Sequence, residues 1–217
     1  MWDWSYAADI TPDLLRGLLL TFQITAMAFV VSVITGLVWA IAGRAPNRVV
    51  RGIVRLMLEF VRGTPLLVQL FLVYYVLPDY GIVLKASVTA VLVIGVHYST
   101  YVAEAYRAGI ESVPREQWEA ARSLHLSPVR TWRAVVLPPA VRFAIPPIGS
   151  YLIQMYKETA LLFAIGLPVL LAEARSAGGF SFRLLEPFTI AGLMYLAVSV
   201  PSSMLVSKLE RRYDRAH

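Results

Sequence analysis

The sequence predicts an all-α integral membrane protein with five transmembrane helices, and three observations carry that prediction. Of its 217 residues, 58% are hydrophobic and only 16% charged, with a mean hydropathy of +0.63. A soluble domain of this size carries about a quarter charged residues. Apolar runs recur that are long enough for a bilayer, which needs about 20 residues per helix. The basic residues also gather in alternate connections, as expected of spans that alternate in direction. Net charge is +6 and the isoelectric point near 9.7; in this class that balance reports cytoplasmic loops and anionic lipid, not nucleic acid. There are no cysteines, so disulfides and thiolate metal sites are excluded.

The elements follow in chain order. Residues 1–13 are short, aromatic and acidic (Trp2, Asp3, Trp4, Tyr6, Asp9, Asp13). They lack the basic start of a secretory signal peptide and read as an extracytoplasmic N-terminus at the membrane interface. Leu14 to Ala42 is apolar apart from Arg16, Gln23 and small polar residues, and forms a tilted first span. Gly43 to Arg48 is a basic turn. The second span is expected over Leu56 to Leu77, kinked or restarted at Pro65. Pro78 to Gly81 is a turn, and the third span covers Ile82 to Ala105.

Residues 111–138 are the longest polar stretch between apolar runs. A connection of this length carries its own structure or a function. Pro114 suits the start of a short helix, and Pro128 interrupts or restarts it. The fourth span runs from near Ala134 to Tyr156. Ala160 to Leu171 is too short to cross and reads as re-entrant or interfacial. Glu173 to Glu186 reads as a polar loop, Pro187 to Val206 as the last span, and 208–217 as a basic tail.

Charge placement orients these spans. One face collects Arg44, Arg48, Arg51 and Arg55, then Arg107, Arg115, Arg122, Arg130 and Arg133, then Lys208, Arg211, Arg212 and Arg215. The other holds Arg16, Lys85, Arg175 and Arg183. The positive-inside rule puts the first set in the cytoplasm, with the N-terminus outside and the C-terminus inside. A sixth span over Ala160 to Leu171 would expel the basic tail. The domain plan is therefore one membrane domain, residues 14–207, between the outer N-terminus and the cytoplasmic tail.

Within the polar loop, Glu119-Ala120-Ala121 is followed after three residues by His125, after nine more by Val135, and then by Leu137-Pro138. This resembles the signature cytoplasmic loop of permease subunits of bacterial ABC importers. In that pattern Gly usually stands at the position of His125 and Ile at that of Val135. Glu59-x-x-Arg62-Gly63-Thr64-Pro65-Leu66, Tyr106-Arg107-Ala108-Gly109-Ile110 and Lys157-Glu158-Thr159-Ala160-Leu161 resemble recurring motifs of the polar amino-acid uptake subfamily (histidine, glutamine and arginine type). Met1-Trp2-Asp3-Trp4 and Leu185-Glu186-Pro187-Phe188-Thr189 are similar to the permease of ectoine/hydroxyectoine importers.

The resemblance implies a type I ABC importer permease core in the bacterial inner membrane, with a cytoplasmic coupling helix. It implies a second permease, identical or different, two ATPase subunits and an extracytoplasmic substrate-binding protein. This chain would bind no cofactor; ATP and Mg²⁺ would sit on the ATPases. Glu119, Ala120, Ala121, Ser123, Leu124, His125 and Leu126 would form the coupling contact. The cargo would be a polar amino acid or an amino-acid-like compatible solute, moved by alternating access.

Ionisable and polar residues inside a bilayer default to functional candidates. His97, Tyr101, Gln154, Lys157 and Glu158 are the candidate substrate path, against a competing reading as packed helix faces. Tyr74, Tyr75, Tyr98 and Tyr101 could hold a cation on their rings, although core packing explains them as well. Glu59 with Arg62, and Glu104 with Arg107, read as structural ion pairs three residues apart. The Asp residues lie at ends or turns and His97, His125 and His217 are scattered, so no metal site or catalytic triad is indicated. No G-x-x-x-x-G-K-[ST] occurs, so an ATPase within this chain is excluded. A small ion-coupled secondary transporter is the alternative, because buried charges and broken helices fit it too.

Overall fold

A computed structural model describes residues 2–214; Arg215 and His217 lie outside the described residues. The described residues are mostly helical, with no strand among them. Four helices are long and apolar enough to cross a membrane, or five if the bent pair Arg48–Gly63 and Leu66–Tyr80 counts as one span.

Helix α1 spans Trp4–Ala42. Asp3 caps it, its side chain accepting from the amides of Ser5 and Tyr6. Residues 4–13 are thus its first turns and not a separate tail. At 1.5 Å per residue the helix is about 58 Å long, well beyond the ~30 Å apolar core of a bilayer, so one end projects from the membrane.

The second crossing is broken. α2 (Arg48–Gly63) and the segment after it, Leu66–Tyr80, meet at 99°, far more than a kink. That segment is α3 (Leu66–Phe71), a π-helical turn (Leu72–Val76) and a 3-10 turn (Leu77–Tyr80). Pro65 pushes Thr64 out of helical space, and both residues are extended. The Gln69 amide holds the corner, donating to the carbonyl of Val61 at 2.7 Å, the Thr64 carbonyl at 3.1 Å and the Thr64 hydroxyl at 2.6 Å.

α4 spans Ala86–Glu111, past the predicted end at Ala105. The polar stretch folds into α5 (Arg115–Ser123) and the single turn α6 (Pro128–Arg130), as its two prolines suggest. A π-helical turn over Thr131–Val136 leads into α7 (Leu137–Glu158). Pro138 and Pro139 have no amide to donate back, which favours a local change of helical pitch there.

A 3-10 helix over Thr159–Ile165 then doubles the chain back into the core. Thr159, Leu162, Val169 and Leu170 are fully buried. The predicted polar loop 173–186 is mostly helix: α8 spans Leu170–Ser181. Leu170, Ala174 and Gly178, spaced by four, form its buried face. Gly178 lies within the helix, where a Cβ would stand 2.9 Å from the Leu184 side chain and 3.1 Å from the Arg183 carbonyl oxygen. α9 runs Leu185–Asp214, so the predicted tail continues a helix as far as it is described.

Within a membrane, helices associate through close packing of small residues and not through a hydrophobic drive. Accordingly α1 packs intimately on α4, and α4 on α7. A Cβ on Gly109 of α4 would lie 2.4 Å from the Ala140 carbonyl oxygen of α7. A Cβ on Gly17 of α1 would lie 2.8 Å from Glu173 Cγ and 3.0 Å from the Leu170 backbone of α8. Two buried hydroxyls bond back to their own helices, Thr25 to the Thr21 carbonyl at 2.8 Å and Thr100 to that of His97 at 2.7 Å, while the hydroxyl of Thr21 accepts from the Leu170 amide at 3.1 Å. The main core joins Ile24 and Ala28, Leu66 and Leu70, Ile94 and Tyr98, Met155, Leu162 and Ile165.

At the end of the molecule that holds the α1 N-terminus, Asp3 fastens α1 to the turn between α8 and α9. The Arg183 guanidinium donates to its carboxylate at 2.7 Å, and its own amide donates to Glu186, which is buried. Tyr6 adds a bond to the Ala177 carbonyl at 3.0 Å.

Candidate functional site

Two groups of residues carry the sequence-derived candidates, one in the polar segment between α4 and α7 and one between the helices.

In the polar segment, α5 presents charge and small residues on a helix of nine residues. Its C-terminus closes with the amide of His125 donating to the Arg122 carbonyl at 2.9 Å and that of Leu126 to the Ala121 carbonyl at 3.1 Å. This paired pattern is the Schellman cap, which requires a left-handed residue. His125 fills that position with φ 52°. It therefore performs the turn that glycine usually makes, at a steric cost glycine avoids.

Of the seven residues assigned to coupling, Glu119, Ala120, Ser123, Leu124 and His125 are exposed, and Leu126 is half-buried. Ala121 is 2% exposed and faces inward, so it seats α5 on the body. Glu119 has no ion pair among the described residues.

α5 is anchored to two spans. Trp118 meets Trp132 edge to face, with ring centroids 5.7 Å apart. Beneath them Val113, Val136 and Ala140 form a small buried cluster joined by Ile110. That cluster links the end of α4 to the base of α7. The Arg44 guanidinium, at the end of α1, stands 5.8 Å above the Trp132 ring. The tryptophans and Arg44 were not among the sequence candidates for this role. Their signal was present, since Trp118 precedes the Glu119 motif by one position and Trp132 lies before Leu137-Pro138.

Between the helices, His97 is 7% exposed and its Nδ1 lies 3.3 Å from Gln69 Oε1. His97 and Tyr101 lie 5.6 Å apart, Tyr101 and Tyr151 5.7 Å, and Tyr98 and Tyr101 5.8 Å. Tyr74 and Tyr75 pack on each other instead, and no ring pair joins them to Tyr98 or Tyr101 among the described residues. The four tyrosines are thus not one cation-binding box.

Lys157 and Glu158 turn apart, as adjacent helical residues must. Lys157 and Gln154 are exposed, whereas Glu158 is half-buried and its Oε2 is buried without a hydrogen-bond partner among the described residues. Gln69 and Tyr151 join the cluster although sequence reading did not select them. The two expected ion pairs are present: Arg62 to Glu59 at 3.1 Å, and Arg107 to Glu104, with Arg107 also reaching Glu111 at 2.6 Å.

The sequence profile of "Binding-protein-dependent transport system inner membrane component" matches residues 17–215. A probable amino-acid ABC transporter permease protein of Sinorhizobium fredii is 39% identical over 93% of this chain and 87% of its own length. The glutamine transport system permease protein of Escherichia coli is 30% identical over 97% of both. Among solved structures, an amino acid ABC transporter crystallised with histidines superposes with a TM-score of 0.92 at 33% identity, covering 98% of this chain and 99% of the other. The MetNI methionine ABC transporter shares the fold, with a TM-score of 0.70 at 17% identity over 91% and 96% of the two chains.

Proposed function

Because the chain belongs to the inner-membrane components of binding-protein-dependent transport systems, we propose that it is the permease subunit through which an ATP-driven importer moves a polar amino acid, or an amino-acid-like compatible solute, into the cytoplasm. The observation that carries this reading is the match to amino-acid permeases along nearly the whole chain. As a membrane permease component it is not an enzyme.

A second permease, ATPase subunits and an extracytoplasmic binding protein complete the machine, and ATP and Mg²⁺ bind on the ATPases. We read the stoichiometry as two permeases and two ATPases. The N-terminus lies outside and the C-terminus inside. The gathering of Arg44, Arg51, Arg55 and Arg107 around one cavity at one end of the bundle supports that orientation. Residues 14–207 form the transport domain, flanked by the outer segment 1–13 and the cytoplasmic tail 208–217.

α5 is the coupling helix. Glu119, Ala120, Ser123, Leu124, His125 and Leu126 meet the ATPase, and Ala121 holds the helix in place. Closure of the ATPases pushes α5, and the tryptophan pair with the Val113–Val136–Ala140 cluster passes the displacement to α4 and α7. A rigid element shared by two spans is what such rocking needs. His97, Tyr101, Gln154, Lys157 and Glu158 line the substrate path. The half-burial of Glu158 beside Tyr98 supports this, since an ionisable group among membrane helices defaults to a functional role.

Reconstitution with the ATPase and binding protein tests the proposal. Uptake is expected to require ATP and to be blocked by vanadate, and labelled polar amino acids tested against labelled ectoine separate the two cargo classes. Uptake driven by an ion gradient without nucleotide would contradict it.

A further inference from the structure

A polar cavity of about 770 Å³ opens where the end of α1 meets α2 and the end of α4. Its acidic side chains are engaged: Glu59 pairs with Arg62, and Glu104 and Glu111 pair with Arg107. Three guanidiniums in its wall, Arg44, Arg51 and Arg55, have no carboxylate partner among the described residues. Arg51 donates only to the carbonyls of Ala45 and Pro46, and Arg44 stacks on Trp132. The cavity therefore has an unneutralised positive charge.

A second, apolar groove of about 310 Å³ lies inside the 99° bend, lined by Phe60 and Val61 of α2, Leu72 and Val73, and Val93 and Val96 of α4. The two spaces are aligned. Val93 and Glu104, and Val96 and Arg107, are each eleven residues apart on α4, which is about three full turns. The cavity and the groove thus share one face of the helix, offset by ~16 Å along its axis. That offset is about half the thickness of a bilayer's apolar core, the reach of one acyl chain.

We propose that this composite site binds one anionic phospholipid, with its phosphate among Arg44, Arg51 and Arg55 and an acyl chain in the groove under the bend. Charge complementarity selects the headgroup, because a zwitterionic lipid brings its own cation into a cavity that is already positive. The groove selects a lipid over a free anion. α2 also leaves Val49, Ile53 and Leu56 uncovered beside the site, as suits a helix bordered by lipid. The bound lipid then braces the broken crossing, whose corner is otherwise fastened by the side chains of Gln69 and Thr64. The proposal rests on the reading that this end of the bundle is cytoplasmic.

Native mass spectrometry of the assembled transporter, titrated with phosphatidylglycerol or phosphatidylcholine, tests it. Wild type should retain one phosphatidylglycerol per permease chain and no phosphatidylcholine. Arg55→Glu should hold phosphatidylglycerol about 30-fold more weakly, and Arg55→Lys should restore it. Arg55 is exposed and unpaired, so the substitution leaves folding intact; Arg44→Gln repeats the test from the α1 side. Equal retention of the two lipids, or undiminished phosphatidylglycerol on Arg55→Glu and Arg44→Gln, would overturn the proposal. Glycerol 3-phosphate bound as tightly as the intact lipid would also overturn it, since the groove would then contribute nothing. Labelling of Arg48→Cys, in a chain with no cysteine of its own, by an impermeant reagent checks the orientation separately. Reaction from outside the cell would reverse the orientation and leave the lipid titration to be read by itself.

Discussion

Trp118 and Trp132 stand edge to face, 5.7 Å between ring centroids, and this pair joins the helix α5 to the base of α7. Such a pair contributes about 1 kcal/mol beyond its buried area. On the coupling reading, Trp118→Ala loosens α5 without removing its exposed face. The transporter should assemble and hydrolyse ATP, while solute moved per ATP falls about tenfold, equivalent to about 1.4 kcal/mol of lost coupling. Parallel measurement of hydrolysis and uptake checks this; a proportional fall in both would point to simple destabilisation.

His125 occupies a left-handed position with φ 52°. His125→Gly should therefore stabilise the chain by about 0.5 to 1 kcal/mol, and His125→Val should destabilise it by at least as much. Thermal unfolding midpoints of the three proteins are expected in the order Gly, His, Val. A lower midpoint for Gly would mean that His125 makes a compensating contact.

The Asp3 carboxylate is held down at about 2, by the Arg183 guanidinium first and then by the Tyr6 amide and the Ser5 hydroxyl. A carboxylate whose acidity is raised by folding stabilises the fold when ionised. The contribution is complete above the ordinary Asp value of about 3.9 and is lost as pH falls through about 2. Asp3→Asn keeps the helix cap, for which Asn serves as well, but loses the ion pair. The midpoint difference between wild type and Asp3→Asn should hold steady above pH ~4 and shrink below it. A constant difference to the lowest pH would show that the charge is not what matters.

Much of this architecture was legible. Apolar runs and the placement of arginines marked out the crossings, and the two prolines framed α5. What His125 does where the loop pattern usually has Gly was not legible; the structure shows it in the left-handed turn, with φ 52°. Two features were hidden because they are tertiary. Pro65 announced a break, but the 99° angle depends on where the Gln69 amide finds acceptors. Residues 173–186 read as a polar loop, yet α8 occupies most of them, its buried face at Leu170, Ala174 and Gly178 and its first turn close against Gly17 of α1. In the candidate site, residue types were readable and side-chain directions were not. Nothing local tells that Ala121 faces inward while Ala120 faces out, or that Glu158 turns in beside an exposed Lys157.

Glu119 tests the coupling role most directly, being exposed on α5 and free of any ion pair among the described residues. In proteoliposomes holding the complete transporter, Glu119→Lys should abolish ATP-dependent solute uptake while the permease remains inserted in normal amount. Uptake at the wild-type rate by that variant would contradict the assignment of α5 as the point where the ATPase drives the membrane spans.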